Sequence, residues 1–161
     1  MTQTGGSMKR KKIQKKLKFE GKSLEFLHSD ADITVLIASR GFGKSIVSSY
    51  LTAKKLTMGE SGILMAPTYR DCVSILLRNV INILDQQGFV EGKHFVIDKQ
   101  LLELYLLDEE GQVKSYCVFR SADNPDCARG VSDVNFFIMD EAAVCKKMAF
   151  DATVPVLRGG D

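Results

Sequence analysis

Short apolar runs alternate with amphipathic stretches along most of the chain. Apolar runs rich in β-branched or aromatic residues lie within residues 32–39, 63–66 and 134–139. Runs of this length, bounded by polar residues or glycine, are typical of strands buried on both faces of a sheet. We therefore predict three buried strands at these positions.

The stretches between these runs have the periodicity of helices. Residues 44–59 are predicted to form a helix that ends at Gly59. In residues 69–87 apolar side chains recur at i, i+3, i+4 and i+7, which predicts an amphipathic helix. Thr68 is placed to cap that helix, with Asp71 three residues later.

Three further short strands are expected at residues 94–98, 101–107 and 113–120. The sequence DEEG at residues 108–111 is a plausible hairpin turn between the last two. Alternation of buried strands with helices predicts an α/β layered fold with a mainly parallel central sheet.

Length and charge suggest a single domain preceded by a basic arm. The 161 residues are enough for one domain with its own core. Residues 1–30 contain eight Lys or Arg against three Asp or Glu, although the whole chain has a net charge of only +2. We predict a basic, flexible arm at residues 1–22 and a folded domain at 23–161. The basic run at residues 9–18 either binds nucleic-acid phosphates or is a solvated arm.

Composition excludes two classes of protein. No apolar run approaches the roughly 18 residues that a membrane-spanning helix needs, so no membrane partner is expected. The four cysteines are irregularly spaced without a C-x-x-C pair, so their spacing does not match a zinc-binding motif. This cysteine pattern favours a reducing compartment.

A phosphate-binding loop follows the first predicted strand. The sequence ASRGFGKS nearly matches G-x-x-x-x-G-K-[ST], with alanine at the first glycine position. Backbone N–H groups of such a loop surround the β-phosphate of a nucleotide, the lysine reaches the β- and γ-phosphates, and the serine hydroxyl binds Mg²⁺. The alternative is a strand–helix turn with an incidental lysine. The predicted nucleotide-binding residues are Ala38, Ser39, Arg40, Gly41, Phe42, Gly43, Lys44 and Ser45.

Two acidic residues end the strand predicted at residues 134–139. Asp140 has the position of an acid that holds Mg²⁺ directly or through water. Glu141 has the position of a general base or water-aligning residue. A helix-capping or surface acid is the alternative for Glu141. Together with the loop, the pair predicts ATP hydrolysis with Mg²⁺ rather than nucleotide binding alone.

These motifs together resemble the ATPase domain of the large terminase subunit of tailed bacteriophages. The resemblance rests on ASRGFGKS, on ILMAPTYRDC, on SADNPDCARGVSDVNFFIMDEAA and on VPVLRGGD, and covers about residues 23–161. It implies a P-loop NTPase of the RecA-like (ASCE) kind, a three-layer sandwich. It assigns Arg40 to the γ-phosphate, where a guanidinium can stabilise transition-state charge. Arg129 matches the arginine of the family's R-G pair, without a clear role.

The resemblance also implies a setting and partners. Terminases package double-stranded DNA into procapsids, so the expected partners are DNA, the portal protein, the small terminase subunit and copies of the chain in a ring. The expected location is the host bacterial cytoplasm, transiently at the procapsid portal. The segment around Phe26 and His28 is the expected contact for the adenine ring.

Family features are missing from residues 1–161. The coupling motif and the nuclease domain of large terminases find no match. We therefore expect a sheet that is incomplete at its C-terminal side, no nuclease activity, and low ATP turnover by this chain alone. Two alternatives remain open: a helicase-like ATPase of DNA repair or recombination, and a nucleotide-binding assembly fragment that does not hydrolyse ATP.

Overall fold

The computed structural model describes residues 17–124, 126, 128 and 130–157. Most of the basic run at residues 9–18 and all of Arg129 lie outside the described residues. Among the described residues, no helix is both long and apolar enough to cross a membrane.

A five-stranded sheet organises the described part of the chain. Its strands are β1 (Gly62–Ala66), β2 (Phe95–Asp98), β3 (Glu103–Leu107), β4 (Val113–Ser121) and β5 (Phe136–Met139), in the spatial order β2-β3-β4-β1-β5. Strand β1 pairs in parallel with both β4 and β5, whereas the β2–β3 and β3–β4 pairs are antiparallel. The predicted α/β fold is confirmed, with the parallel pairs lying on the β4-β1-β5 side of the sheet.

A tight turn explains the antiparallel side of the sheet. Gly111 N–H donates to the Asp108 carbonyl, which closes the predicted turn at residues 108–111. Two strands joined by so short a connection can only run antiparallel, because a parallel pair requires a crossover of a dozen residues or more.

Helices cover the sheet on both faces. They are α1 (Lys22–Leu27), α2 (Lys44–Thr57), α3 (Tyr69–Asp71), a π-helix (Cys72–Leu77), α4 (Arg78–Gln86) and α5 (Lys147–Thr153), with 3₁₀ turns at Ala142–Val144 and Val154–Val156. Leu64 of β1 packs in the cluster that contains residues of α2 and α4, whereas its neighbours Ile63 and Met65 pack on the opposite face. All five residues of β1 are buried, as its apolar sequence predicted.

The long helix predicted at residues 69–87 is present but is not uniform. Thr68 Oγ1 accepts a hydrogen bond from Asp71 N–H at 3.2 Å, so the predicted N-cap is confirmed. The helix then widens into a π-helix, where the buried Cys72 Sγ donates to the Arg120 carbonyl at 3.0 Å. Apolar periodicity does not distinguish a π-helical turn, so this feature was not predicted.

The predicted buried strand at residues 32–39 is wrong. This segment joins no strand ladder, and Ile33, Val35 and Ile37 are 77%, 73% and 89% exposed. An apolar run becomes a strand only when another strand pairs with it. In the described sheet β1 already has β4 and β5 as neighbours, and β5 is the edge strand. Residues 32–39 do not pair along the edge strand β5, and the segment leads into the phosphate-binding loop without a strand partner.

Substitution of Ile37 by Thr tests this correction. Because Ile37 is 89% exposed, the free energy of unfolding should change by less than about 0.5 kcal/mol. The fully buried Ile63 is the control, since Ile63→Thr should cost at least about 2 kcal/mol. Urea denaturation measures both. A loss at Ile37 as large as that at Ile63 would show that residues 32–39 are buried after all.

Gly62 is required by close packing against β5. A Cβ atom at this position would lie 2.5 Å from carbon atoms of the Phe136 ring, its register partner on β5. Gly62→Ala should therefore lower the free energy of unfolding by about 1–3 kcal/mol, measured by urea denaturation. The second change Phe136→Leu removes the obstructing ring. The double variant should lose less stability than the sum of the losses of the two single variants. A loss equal to that sum would contradict the contact between position 62 and the Phe136 ring.

Candidate nucleotide site

The predicted phosphate-binding loop forms a tight turn at the start of α2. Gly41 and Gly43 have φ angles of 83° and 89°, in the left-handed region that residues other than glycine rarely adopt. Phe42 N–H donates to the Ser39 carbonyl at 3.3 Å, which closes the turn. Gly43 is the N-cap of α2. The first N–H groups of a helix have no partner inside the helix and attract anions.

The Lys44 ammonium lies across the entrance of this loop. Its Nζ donates to the Ala38 carbonyl at 2.8 Å and to the Ser39 carbonyl at 3.0 Å. Both carbonyls belong to the start of the loop, so the positive charge is held beside the N-terminus of α2. The Lys44 ammonium and the first N–H groups of α2 thus lie close together, which suits a multiply charged anion.

Ser45 and Asp140 come together although 95 residues separate them in the sequence. Ser45 Oγ donates to Asp140 Oδ2 at 2.6 Å. Asp140 is only 7% exposed, and its N–H donates to the Met65 carbonyl at 2.8 Å. The pairing of β5 with β1 therefore extends one residue beyond Met139 and fixes the carboxylate beneath the loop.

The oxygen atoms of Ser45 and Asp140 fit a hard divalent cation. Hydroxyl and carboxylate oxygens are the ligands that Mg²⁺ accepts, with waters and phosphate oxygens completing its shell. Among the described residues, no group of three or more His, Cys, Asp and Glu side chains is placed to hold a metal ion. The remaining ligands of a Mg²⁺ ion at this position would be water and phosphate oxygens.

Glu141 lies next to Asp140 in a very different environment. Its side chain is exposed, and its backbone has φ 50° and ψ 42°, the left-handed conformation. Four residues later, the half-buried Cys145 donates through Sγ to the Asp140 carbonyl at 3.6 Å. Burial, followed by the negative charges of Asp140, Glu141 and Asp123, raises the pKa of the Cys145 thiol to about 11. The thiol therefore stays protonated at neutral pH and remains a donor.

The remaining predicted site residues are placed as follows. Arg40 is exposed on the loop. Phe26 lines a cleft of about 410 Å³ between α1 and residues 34–37, directly before the loop, whereas His28 is exposed and does not line it. A second cleft, of about 490 Å³, contains Tyr69, Arg120 and Asp123 but none of the predicted site residues.

Two contributions to this site were not predicted from the sequence. The Met65 carbonyl aligns Asp140, and Cys145 holds the turn after it. Neither has a sequence signal, because a backbone carbonyl is present in every residue and an isolated cysteine is usually a core residue. The apolar run of β1 was the available indication that a strand would lie beside β5.

Fold and site together define the class of the chain. A glycine loop leads into the N-terminus of α2, and its serine is bonded to a buried acid at the end of β5, which is parallel to β1. These features and the α/β sheet are those of P-loop NTPases of the RecA-like kind, although residues 32–39 do not form a strand before the loop.

Comparison with solved structures identifies the group within this class. The chain has the fold of phage large-terminase ATPase domains. It aligns with the Thermus phage P74-26 large terminase ATPase domain with a TM-score of 0.74 and 25% identity, over 86% of this chain and 60% of that one. An arginine-to-alanine variant of that domain gives a TM-score of 0.73 at 24% identity, over 86% of this chain and 60% of that one.

A second terminase shares the fold at lower identity. The large terminase of another thermophilic bacteriophage gives a TM-score of 0.66 at 18% identity, over 86% of this chain and 37% of that one. No protein-family model matches the sequence, and no curated protein matches it either. The chain spans 60% of the length of the Thermus phage P74-26 terminase domain.

The Ser45–Asp140 hydrogen bond should contribute to stability in the absence of nucleotide. Ser45→Ala leaves a 7% exposed carboxylate without this donor, so the free energy of unfolding should fall by about 1–3 kcal/mol. Chemical denaturation without Mg²⁺ measures the loss. The control is Ser74→Ala, since the Ser74 hydroxyl is exposed and donates to the Arg70 carbonyl one turn earlier in the same helical stretch. Equal effects at the two serines would contradict a special role for the Ser45 bond.

Proposed function

We propose that this chain is the ATP-binding and ATP-hydrolysing motor domain of a phage large terminase subunit, which drives DNA into a procapsid. The observation that carries the proposal is the 2.6 Å hydrogen bond between Ser45 of the loop and the buried Asp140. It brings the two halves of a nucleotide site together in a chain with the terminase ATPase fold.

The loop residues bind the triphosphate in this proposal. N–H groups from Gly41 to Ser45 surround the β-phosphate at the N-terminus of α2, with Ala38 and Ser39 closing the other side of the loop. The Lys44 ammonium exchanges its two carbonyl partners for phosphate oxygens, which are stronger acceptors because they are charged. Mg²⁺ held by Ser45 and Asp140 would neutralise the negative charge of the phosphates.

Glu141 and Arg40 carry the chemical step in this proposal. The exposed carboxylate of Glu141 accepts a hydrogen bond from the attacking water and aligns it with the γ-phosphate. The exposed guanidinium of Arg40 stabilises the charge that develops on the γ-phosphate oxygens. Asp140 is buried and hydrogen-bonded, so it serves the cation rather than the water.

The wider setting is also part of the proposal. The motor would act on double-stranded DNA together with the portal protein and the small terminase subunit, as a ring of identical subunits in the host bacterial cytoplasm and transiently at the procapsid portal. The support is the likeness to terminase ATPase domains, of which this chain spans 60% in one case.

Nucleotide binding and hydrolysis by three proteins test the proposal. Wild type, Lys44→Ala and Glu141→Gln are compared with ATP and Mg²⁺, by calorimetry for binding and by phosphate release for hydrolysis. Lys44→Ala should weaken ATP binding at least about tenfold, because charged contacts to the phosphates are lost. Glu141→Gln should bind ATP normally and slow hydrolysis about 10²- to 10⁴-fold.

A lysine at the other end of the same helix provides the matched control. Lys54 lies in the last turn of α2, so Lys54→Ala should leave ATP affinity unchanged. Equal losses at Lys44 and Lys54 would indicate helix damage rather than a phosphate contact. Binding of ATP without hydrolysis, unchanged when portal protein and procapsid are added, would support a nucleotide-binding assembly module instead, and absence of binding would refute the proposed site.

A further inference from the structure

Glu141 stands out among the described residues because it combines a left-handed backbone with a position in the site. Three non-glycine residues have positive φ angles: Leu102, Asp133 and Glu141. Asp133 belongs to a residue type that tolerates this conformation. Glutamate does not share that tolerance, and the left-handed region costs an L-residue with a Cβ atom free energy. A strained backbone at a site residue points to a geometric requirement.

Both flanks of Glu141 are held by the fold. On one side, Asp140 N–H donates to the Met65 carbonyl at 2.8 Å, which keeps Asp140 in the pairing of β5 with β1. On the other side, Val144 N–H donates to the Glu141 carbonyl at 3.0 Å within the 3₁₀ turn Ala142–Val144. Cys145 then packs beside the cluster of Met65, Ala122 and Ala149. Glu141 is the left-handed residue between the end of β5 and the 3₁₀ turn.

The left-handed turn changes the direction of the Glu141 side chain. In a continuing strand successive side chains point to opposite faces of the sheet, so Glu141 would be directed to the face opposite Asp140. Because the backbone is left-handed at Glu141, this alternation ends after Asp140, which is 7% exposed and bonded to Ser45, and the Glu141 side chain is exposed.

We propose that the left-handed turn at Glu141 is a positioning device, which ends the strand alternation after Asp140 and directs the Glu141 carboxylate toward the phosphate loop rather than to the opposite face of the sheet. The inference rests on the proposed function, in which Glu141 aligns the attacking water. The turn itself has consequences that do not depend on catalysis.

Thermal melting tests whether Glu141 is held left-handed. Glu141→Gly should melt about 2–4 °C higher than Glu141→Ala, because glycine adopts this conformation without a steric cost. Val144 provides the matched pair: it is 69% exposed and lies in the adjacent 3₁₀ turn. There the order should reverse, with Val144→Ala melting above Val144→Gly. Glu141→Gly melting no higher than Glu141→Ala would overturn the inference.

A proline at position 142 tests positioning without removing the carboxylate. Ala142 is exposed and is the first residue of the 3₁₀ turn, where proline is accommodated. Proline drives the preceding residue to an extended conformation, so Ala142→Pro should move Glu141 out of its turn. Single-turnover hydrolysis, with protein in excess of ATP, should slow at least about tenfold, since a misplaced group loses most of its catalytic effect. ATP affinity should stay within about threefold, because the phosphate contacts lie on the loop.

The control and the outcomes separate this inference from the proposed function. Ala142→Ser keeps an ordinary residue at the same position and should hydrolyse ATP like wild type. A wild-type rate in Ala142→Pro would overturn the positioning role. If wild type neither binds nor hydrolyses ATP, the proposed function fails, and the melting comparison still decides whether the fold holds Glu141 in the left-handed turn.

Discussion

Burial of β1 on both faces is the constraint on which the rest of the structure depends. Its five residues are all buried, and it pairs in parallel with β4 on one side and β5 on the other. Parallel neighbours end at the same edge of a sheet, so the chain after β5 emerges beside the end of β1. The Met65 carbonyl then receives Asp140 N–H, and this bond places the acidic residue. The close approach of β1 and β5 at Gly62 and Phe136 is part of the same constraint.

The site shows how one fold gives neighbouring carboxylates different chemistry. Asp140 is buried and accepts a hydrogen bond from Ser45, whereas Glu141 is exposed. A buried, bonded carboxylate suits a bound cation, and an exposed one remains available to water. Without a nucleotide, the Lys44 ammonium donates hydrogen bonds to two loop carbonyls. Each charged group of the proposed site thus has either a partner or solvent, so the site can be stable before a nucleotide binds.

The likeness to terminase ATPase domains at 25% identity has a physical basis. A fold of this kind needs apolar residues of suitable volume at core positions, and many combinations of such residues satisfy it. The residues of the proposed site are fewer, and the geometry of a phosphate group and a cation would constrain them. The segment before the loop was predicted to be a strand but does not join the sheet, and its side chains Ile33, Val35 and Ile37 are exposed. Strand β5 is the edge of the described sheet beside β1.

The sequence by itself determined the features that depend on residues close to one another along the chain. The glycines of the loop, the cap at Thr68, the turn before Gly111 and the helix at residues 44–59 all follow from local backbone preferences and short-range periodicity. Only the tertiary structure decided which apolar runs became strands, because pairing depends on residues far apart in the sequence. Residues 63–66 acquired two neighbours and residues 32–39 acquired none, although the two runs look alike. The same reason applies to the π-helix after Asp71 and to the turn at Glu141, since both arise where contacts from distant strands fix the flanking residues.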